Sequence, residues 1–480
     1  MLLAILSVGA AAGPSKRERA LAADLDRIFN APVMEQGIWG VEVKSLDSGR
    51  ILYAHNPRTL MMPASNMKIL TLAAAADTLG WDYRFTTTLE TPAAIEDGTL
   101  RGDLFVRGTG DPTINSRDKR ADAVFDEWAA GLKAAGVTRI AGSVIADATA
   151  FEDRRLGQGW AWDFLEAGYA APVSALEFNE NTAAVSIRPG GMPGDPAGLE
   201  LPPSTGLGLI HHVVTGETGS ATSITIERQP DKPYLDVRGT IAAGADTATR
   251  DVAVANPPLY FAHALTLALQ ARGIAVGGIP KEFVRPEFQV STEPRRVLIE
   301  SKSPPLRDIA TVMMKISQNL YAETLLKAVG AAKGGLGSAE NGRRAVAETL
   351  SAWGIPAGTY VQADGSGLSR YDFVTADTIV TLLEHLHRDP KHHDAFLATL
   401  PVAGKDGTIS TRLKRTRAEG NAAAKTGSIS NARALSGYVR TRDGETLVFS
   451  ILANSFAIPA STVNYIADVA VETLANHTNR

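Results

Sequence analysis

Apolar positions recur along the chain in two rhythms. Leu21, Leu25, Ile28 and Phe29 fall at helical spacing and predict a helix over 17–30. Val41 and Val43 alternate with Glu42 and Lys44, and after Asp47, Ser48 and Gly49 the chain resumes with Ile51 and Tyr53. Alternation on both sides of a turn predicts a hairpin. Residues 64–79 are rich in Ala, Leu and Met and stop at Gly80, which predicts a buried helix with a glycine end. Between 85 and 300 the texture changes. Short β-like runs at 85–89, 104–106, 143–146, 183–187, 223–227 and 235–241 alternate with turns, and Pro and Gly crowd 189–208, which reads as loop. Helical spacing returns at 306–331, 339–352 and 375–388. Two strands, 434–440 and 447–452, flank a turn at Arg442, Asp443 and Gly444, and both read as central in a sheet. A last helix is predicted over 461–475. Both ends therefore predict α/β structure and the middle mainly β, as in one domain split by a long insertion.

Composition narrows the chemistry. The chain has 480 residues and a net charge of −4, and no run of five like charges. Nucleic-acid binding through bulk charge is disfavoured. Cysteine is absent, which removes disulfides, thiol nucleophiles, cysteine-type zinc sites and iron–sulfur clusters. Catalysis would have to come from Ser, Thr, Lys, His or carboxylates. Residues 2–12 are apolar or small, with Ala10, Ala11 and Ala12 at their end and Lys16, Arg17 and Arg19 following. The run is shorter than the ~20 residues that cross a bilayer, and it fits the apolar region of an export signal. No basic residue precedes it, and the competing reading is the apolar start of a first helix.

An activated hydroxyl is the natural nucleophile to seek. Ser-x-x-Lys occurs twice, at Ser65–Lys68 and at Ser116–Lys119. Ser65 opens the apolar helix 64–79, where Ser65 and Lys68 share a face and burial would lower the lysine pKa until the neutral amine takes the serine proton. Ser116 lies among Asp111, Arg117, Asp118, Lys119 and Arg120, where a lysine stays solvated. The plain alternative for Ser65 is a helix cap. Ser317-Gln318-Asn319 is the one Ser-x-Asn of the chain and falls inside the predicted helix 306–331. Its hydroxyl could shuttle a proton and its amide could orient Lys68 or a substrate, or it is simply a polar helix position. Lys425-Thr426-Gly427 is the one Lys-Thr-Gly. On an edge strand Gly427 would admit a substrate backbone, Lys425 would supply charge, and Thr426 and Ser428 could bind a carboxylate. A backbone N–H after the glycine could complete an oxyanion hole with that of Ser65. Here the plain alternative is a strand start with a surface lysine.

Other features carry less. His385, His387, His392 and His393 lie close together but read as a helix end and loop rather than a metal site. Asp364-Gly365-Ser366-Gly367 lacks the spacing of a nucleophile elbow and reads as a turn. Gly108-Thr109-Gly110 and Gly334-Gly335-Leu336-Gly337 lack the ending of a phosphate loop. No cofactor and no metal are expected.

The three motifs in this order resemble those of penicillin-binding serine enzymes. With Gly108-Thr109-Gly110-Asp111-Pro112 and Asp364-Gly365-Ser366-Gly367-Leu368-Ser369 as further matches, the chain resembles the class C low-molecular-mass penicillin-binding proteins, peptidase family S13. The resemblance covers most of 20–475. The long gap between Lys68 and Ser317 sets it apart from class A β-lactamases, which are too short to hold it. What the resemblance implies is an α/β (α+β) serine DD-peptidase fold, a central antiparallel sheet with helices on both faces, split by two smaller β-rich domains. The implied division is a leader at 1–16, a catalytic domain at 17–88 and 306–480, one inserted domain at 89–112 and 209–305, and a second at 113–208. By the same resemblance Ser65 attacks the bond between two D-alanines, Lys68 is the base and Ser317 relays a proton to the leaving amine. Asn319 positions Lys68 and the substrate amide, Lys425 tunes charge, and Thr426, Gly427 and Ser428 line the carboxylate site. Implied partners are peptidoglycan stem peptides and crosslinks, with β-lactams as acylating inhibitors, in the periplasm. The rivals are a serine β-lactamase and a wall-binding protein without turnover.

Overall fold

The computed structural model describes residues 13–230, 232–284 and 294–479; the apolar run 2–12 falls outside them. The frame is a five-stranded sheet. Its strands are β1 (Ile38–Ser45), β2 (Ile51–His55), β3 (Ala423–Ile429), β4 (Ala432–Arg440) and β5 (Thr446–Asn454). They lie in the order β2-β1-β5-β4-β3, every neighbour antiparallel. The two ends of the chain meet where β1 pairs with β5, from Ile38 opposite Asn454 to Ser45 opposite Leu447.

Strands β4 and β5 read as continuous apolar runs because both faces are covered. Leu435, Val439, Leu447, Phe449 and Ile451 pack against the flanking helices α1 (Lys16–Phe29) and α6 (Ala460–Asn476). Ala434, Tyr438, Val448 and Leu452 face the opposite layer, built from α2 (Met67–Leu79), α3 (Leu306–Lys315), α4 (Asn319–Gly334), the helix Ala339–Ala352 and α5 (Ala376–Arg388). Helix α2 is buried at every position from Met67 to Ala76, as its all-round apolar sequence requires. The antiparallel sheet between helical layers agrees with the expected fold class.

Two expectations need correction. The predicted helix 306–331 is two helices, α3 and α4, because Ser317 between them is left-handed at φ +62°. The middle of the chain is mainly β, as expected, and it also holds two 15-residue helices, Arg120–Ala134 and Pro257–Ala271. The expected inner unit 113–208 is not how the apolar clusters group. Residues of Arg120–Ala134, such as Trp128 and Leu132, pack with Leu104, Val144, Phe261 and Leu265 against a five-stranded sheet that includes Thr86–Thr91, Leu104–Gly108 and Val144–Asp147. A separate cluster joins Val185, Ile187, Val213, Leu235, Val237 and Val252. A cut at 208 would sever Val185 and Ile187 from the rest of this cluster, although Thr182–Arg188 pairs antiparallel with Ala248–Ala253. The loop 189–208 also holds a short strand, Gly198–Glu200, paired with Thr182–Arg188. Among the described residues no helix is long and apolar enough to cross a membrane.

Phe449 is fully buried between β5 and the α1/α6 layer. Phe449→Ala should lower stability by about 3–5 kcal/mol. Ile51→Ala, at a site 56% exposed, should stay within about 0.5 kcal/mol. Denaturant unfolding of the two variants checks the contrast.

Candidate active site

The chain enters α2 through Pro63 and one turn of 3-10 helix, Ala64–Asn66. Ala64 is left-handed at φ +46°, a conformation that costs a β-carbon residue about 1–3 kcal/mol and persists only when its surroundings enforce it. Two glycines do so. A β-carbon on Gly367, itself at φ +83°, would fall 1.8 Å from the Ala64 carbonyl oxygen. One on Gly427 would fall 2.5 Å from the Pro63 oxygen and 3.1 Å from Ala64 Cβ. The turn that carries Ser65 is thus seated directly on the Lys-Thr-Gly strand and on the 364–369 loop. Asn66 Nδ2 also donates to the Lys425 carbonyl at 3.3 Å.

Lys68 lies in the first turn of α2 and is wholly buried. Its ammonium has three protons and finds three acceptors: Ser65 Oγ at 2.9 Å, Asn319 Oδ1 at 2.6 Å and the Ser366 carbonyl at 2.8 Å. Burial pulls its pKa down to about 7, although the charges of Asp364, Glu323 and Asp372 act in the opposite direction. A neutral amine is therefore well populated near neutral pH while still within reach of the serine hydroxyl.

The second motif sits between helices, not inside one. Left-handed Ser317 turns the chain, Gln318 caps α4 by accepting the Leu320 N–H at 3.2 Å, and Asn319 is the first helical residue. Asn319 accepts from Lys68 and donates through Nδ2 to the Tyr169 carbonyl at 2.8 Å, which fixes its amide orientation. The third motif lies on β3, the edge strand, as its sequence implied. Lys425 Nζ donates to Ser317 Oγ at 2.8 Å and to the Thr426 carbonyl at 2.8 Å. It too is wholly buried, and its pKa falls well below the usual range, through burial first and then the charge of Lys68. The expected cationic anchor is thus one of two buried lysines that hold a single positive charge more readily than two. Thr426 Oγ1 donates to Thr408 Oγ1 at 2.7 Å, and Ser428 is exposed on the same strand face as Thr426.

All three motifs therefore converge. Ser65, Lys68 and Asn319 form one hydrogen-bonded set, and Ser317, Lys425 and Thr426 form another beside it. Three further contributors had no role assigned from sequence. Ser366 accepts from Lys68 with its carbonyl. Glu323, buried on α4, accepts the N–H groups of Gly365 and Ser366 at 3.0 and 2.8 Å and so aims that carbonyl. Burial, and then Asp364, raise the Glu323 pKa. Tyr169, from the inserted region, fixes Asn319. The 364–369 loop is a turn, as expected, but one that also completes the Lys68 site. The second Ser-x-x-Lys stands apart: Ser116 is exposed, beside a 3-10 turn of the insertion. His392 accepts from Trp81 Nε1 at 3.2 Å and His385 stacks on Trp353 with ring centroids 4.0 Å apart. Among the described residues no group of three or more His, Cys, Asp or Glu could hold a metal ion.

Gly367→Ala tests the seat of the serine turn. Gly335, at φ +81° with nothing within 4 Å of an added β-carbon, is the control. Gly335→Ala should cost about 1–2 kcal/mol for left-handed backbone alone. Gly367→Ala should cost clearly more, because the Ala64 carbonyl must move as well. Thermal unfolding of the pair measures the difference.

The chain matches the model of the D-Ala-D-Ala carboxypeptidase 3 (S13) family over residues 21–476. It is 35% identical over 455 residues to a D-alanyl-D-alanine carboxypeptidase of Actinomadura sp. (strain R39), covering 91% of this chain and 81% of the relative. It is 29% identical over 423 residues to D-alanyl-D-alanine carboxypeptidase DacB of Haemophilus influenzae, covering 87% of this chain and 85% of the relative. A crystal structure of penicillin binding protein 4 from H. influenzae superposes with a TM-score of 0.82 at 28% identity, covering 95% of this chain and 99% of that one. The family suggested by the three motifs is thus the family matched over nearly the whole length, and the chain belongs to the D-Ala-D-Ala carboxypeptidase 3 (S13) family of serine-type D-Ala-D-Ala carboxypeptidases.

Proposed function

We propose that the protein cleaves peptidoglycan stem peptides through an acyl-enzyme on Ser65. The observation that carries this reading is Lys68: a wholly buried amine, with its pKa brought to about 7, 2.9 Å from the Ser65 hydroxyl. Neutral Lys68 takes the hydroxyl proton as Ser65 Oγ attacks the carbonyl between two D-alanines. The backbone N–H groups of Ser65 and Ser428 receive the oxyanion. Ser317, in contact with Lys425, passes a proton to the leaving amine, and the C–N bond breaks. Water then hydrolyses the ester and returns the enzyme.

Thr426 and Ser428, with Lys425 behind them, hold the terminal carboxylate. A bound carboxylate restores the balance of charge that two buried lysines lack alone, so substrate favours the protonated form of Lys425. When the leaving amine is free D-alanine the reaction is that of a carboxypeptidase. When it belongs to a neighbouring stem, the same steps cleave a crosslink as an endopeptidase. A β-lactam ring presents a carbonyl and carboxylate of the same class and acylates Ser65. A crystal structure of the H. influenzae penicillin binding protein 4 with a β-lactam, at 26% identity and a TM-score of 0.76, supports that step. A peptidoglycan substrate supports a site of action outside the cytoplasmic membrane, read here as the periplasm.

A fluorescent penicillin should label the wild type stably, the wild type should release D-alanine from a pentapeptide, and Ser65→Ala should do neither. Wild-type protein that takes no label would overturn the reading, and rapid loss of label would favour a β-lactamase. The acylation rate should rise with pH through about 7, because protonated Lys68 below that value has no lone pair to accept with. Lys68→Arg, charged at every accessible pH, should lose about 10²–10⁴ in acylation rate and the pH dependence with it. Stopped-flow acylation from pH 5.5 to 8.5 (about one and a half units on either side of that pKa) reads both.

A further inference from the structure

The inserted region runs along α4. Gln318 Nε2 donates to Glu180 Oε2 at 2.6 Å, and the Tyr321 hydroxyl accepts from Asn115 Nδ2 at 3.0 Å. Thr324 Oγ1 donates to Glu177 Oε1 at 2.8 Å, and Lys327 Nζ donates to the Arg154 carbonyl at 2.6 Å. Positions 318, 321, 324 and 327 follow one i,i+3 ridge that winds along α4 from its N-cap, and every one of them is held by the insertion. The first contact is adjacent to Ser317.

Glu180 is mounted in an unusual way. Asn179, Glu180 and Asn181 are all left-handed, at φ +51°, +56° and +54°. Asparagine tolerates that region, whereas glutamate seldom occupies it. The turn is pinned from several sides. Asn181 Oδ1 accepts the Phe178 N–H at 3.2 Å, Asn181 Nδ2 donates to the Pro172 carbonyl at 2.8 Å, and Asn179 Nδ2 donates to the Thr182 carbonyl at 3.1 Å. Arg117 Nη2 donates to the other Glu180 oxygen at 2.8 Å. A strained residue held this firmly, with its carboxylate on the residue next to Ser317, marks a constraint imposed on the second motif.

We propose that Glu180 is a positioning residue of the active site. By fixing Gln318 at its Nε2 end, while Leu320 N–H fixes its oxygen, Glu180 holds Ser317 in the left-handed conformation that presents its hydroxyl to Lys425. The proposal rests on the roles given above to Ser317 and Lys425. It assigns the inserted region a part in the reaction itself, exerted through α4.

The test is an isosteric swap. Gln318→Glu sets two carboxylates against each other, and Glu180→Ala removes the acceptor. Either should lower kcat for D-alanine release by about 10–100-fold, the scale of a misplacement near 1 Å, with KM nearly unchanged. The double variant Glu180→Gln with Gln318→Glu restores the donor–acceptor pair in reverse and should recover most of kcat, which a loss of packing would not. Wild-type kcat in Glu180→Ala, or a swap no better than Gln318→Glu alone, overturns the proposal. If Glu180→Ala does not fold, the volume-preserving swap decides. Wild-type protein that takes no penicillin label overturns the Ser65 reading instead. Hydrogen exchange at the Gln318 and Leu320 amides then still decides whether Glu180 holds the segment: faster exchange in Glu180→Ala supports it, and unchanged exchange overturns it.

Discussion

The structure depends on the burial of one amine. Lys68 lies in a helix whose own sequence sends it to the centre of the molecule, and the neighbouring residues Met67, Ile69 and Leu70 leave it no route to solvent. Its charge can be carried there only if every proton finds an acceptor. Ser65, Asn319 and Ser366 supply those acceptors, and each comes from a different part of the chain. The start of α4, the 364–369 loop and the turn before α2 are therefore fixed relative to one another by a single ammonium. The arrangement is costly for an ion and favourable for a base, because the same desolvation that disfavours the charge brings its loss within reach of neutral pH.

The second buried lysine extends this constraint. Lys425 approaches Lys68 from the edge strand, and each makes the other harder to protonate. Behind them stand carboxyl groups that burial also pushes toward neutrality, among them Glu323 and Asp372. The result is a buried polar interior in which the amines hold their protons less tightly than usual and the carboxyls more tightly, bounded by the glycines at 367 and 427 that let the backbone close around it.

The parts of this arrangement that were legible in the sequence are those encoded locally. The apolar stretch 64–79 and its glycine stop gave α2, and two-sided apolar runs gave β4 and β5. The three motifs are short and each retains its spacing, so the residues that meet at the site could be named before their contacts were known. What was not legible depends on distant partners. Nothing in Ser317-Gln318-Asn319 itself announces a left-handed turn, because serine is permitted in a helix and the groups it meets here, Lys425 among them, are distant in sequence. Glu323, Ser366 and Tyr169 act through charge, a carbonyl and a carbonyl, which have no sequence signature. The helix Pro257–Ala271 had a readable start, Asn256 followed by two prolines, with the Asn256 side chain accepting the Leu259 N–H. It was masked by the β-like runs before it. The grouping within the insertion was hidden for a related reason: the antiparallel pairing of 182–188 with 248–253 is a long-range choice that alternation alone does not reveal.

The pairing of β1 with β5 bears on when such a site can exist. Ser65 and Lys68 are encoded before the insertion, but the strand that completes the sheet beside them is encoded after it. Until residues 446–454 arrive, β1 and β4 each lack a neighbour, β3 has no anchored sheet to edge, and α2 has no floor on which to be buried. A growing chain therefore carries Ser65 and Lys68 as an ordinary hydroxyl and a solvated ammonium. The buried, low-pKa state of Lys68 is thus a property of the closed sheet and not of the Ser-x-x-Lys segment alone.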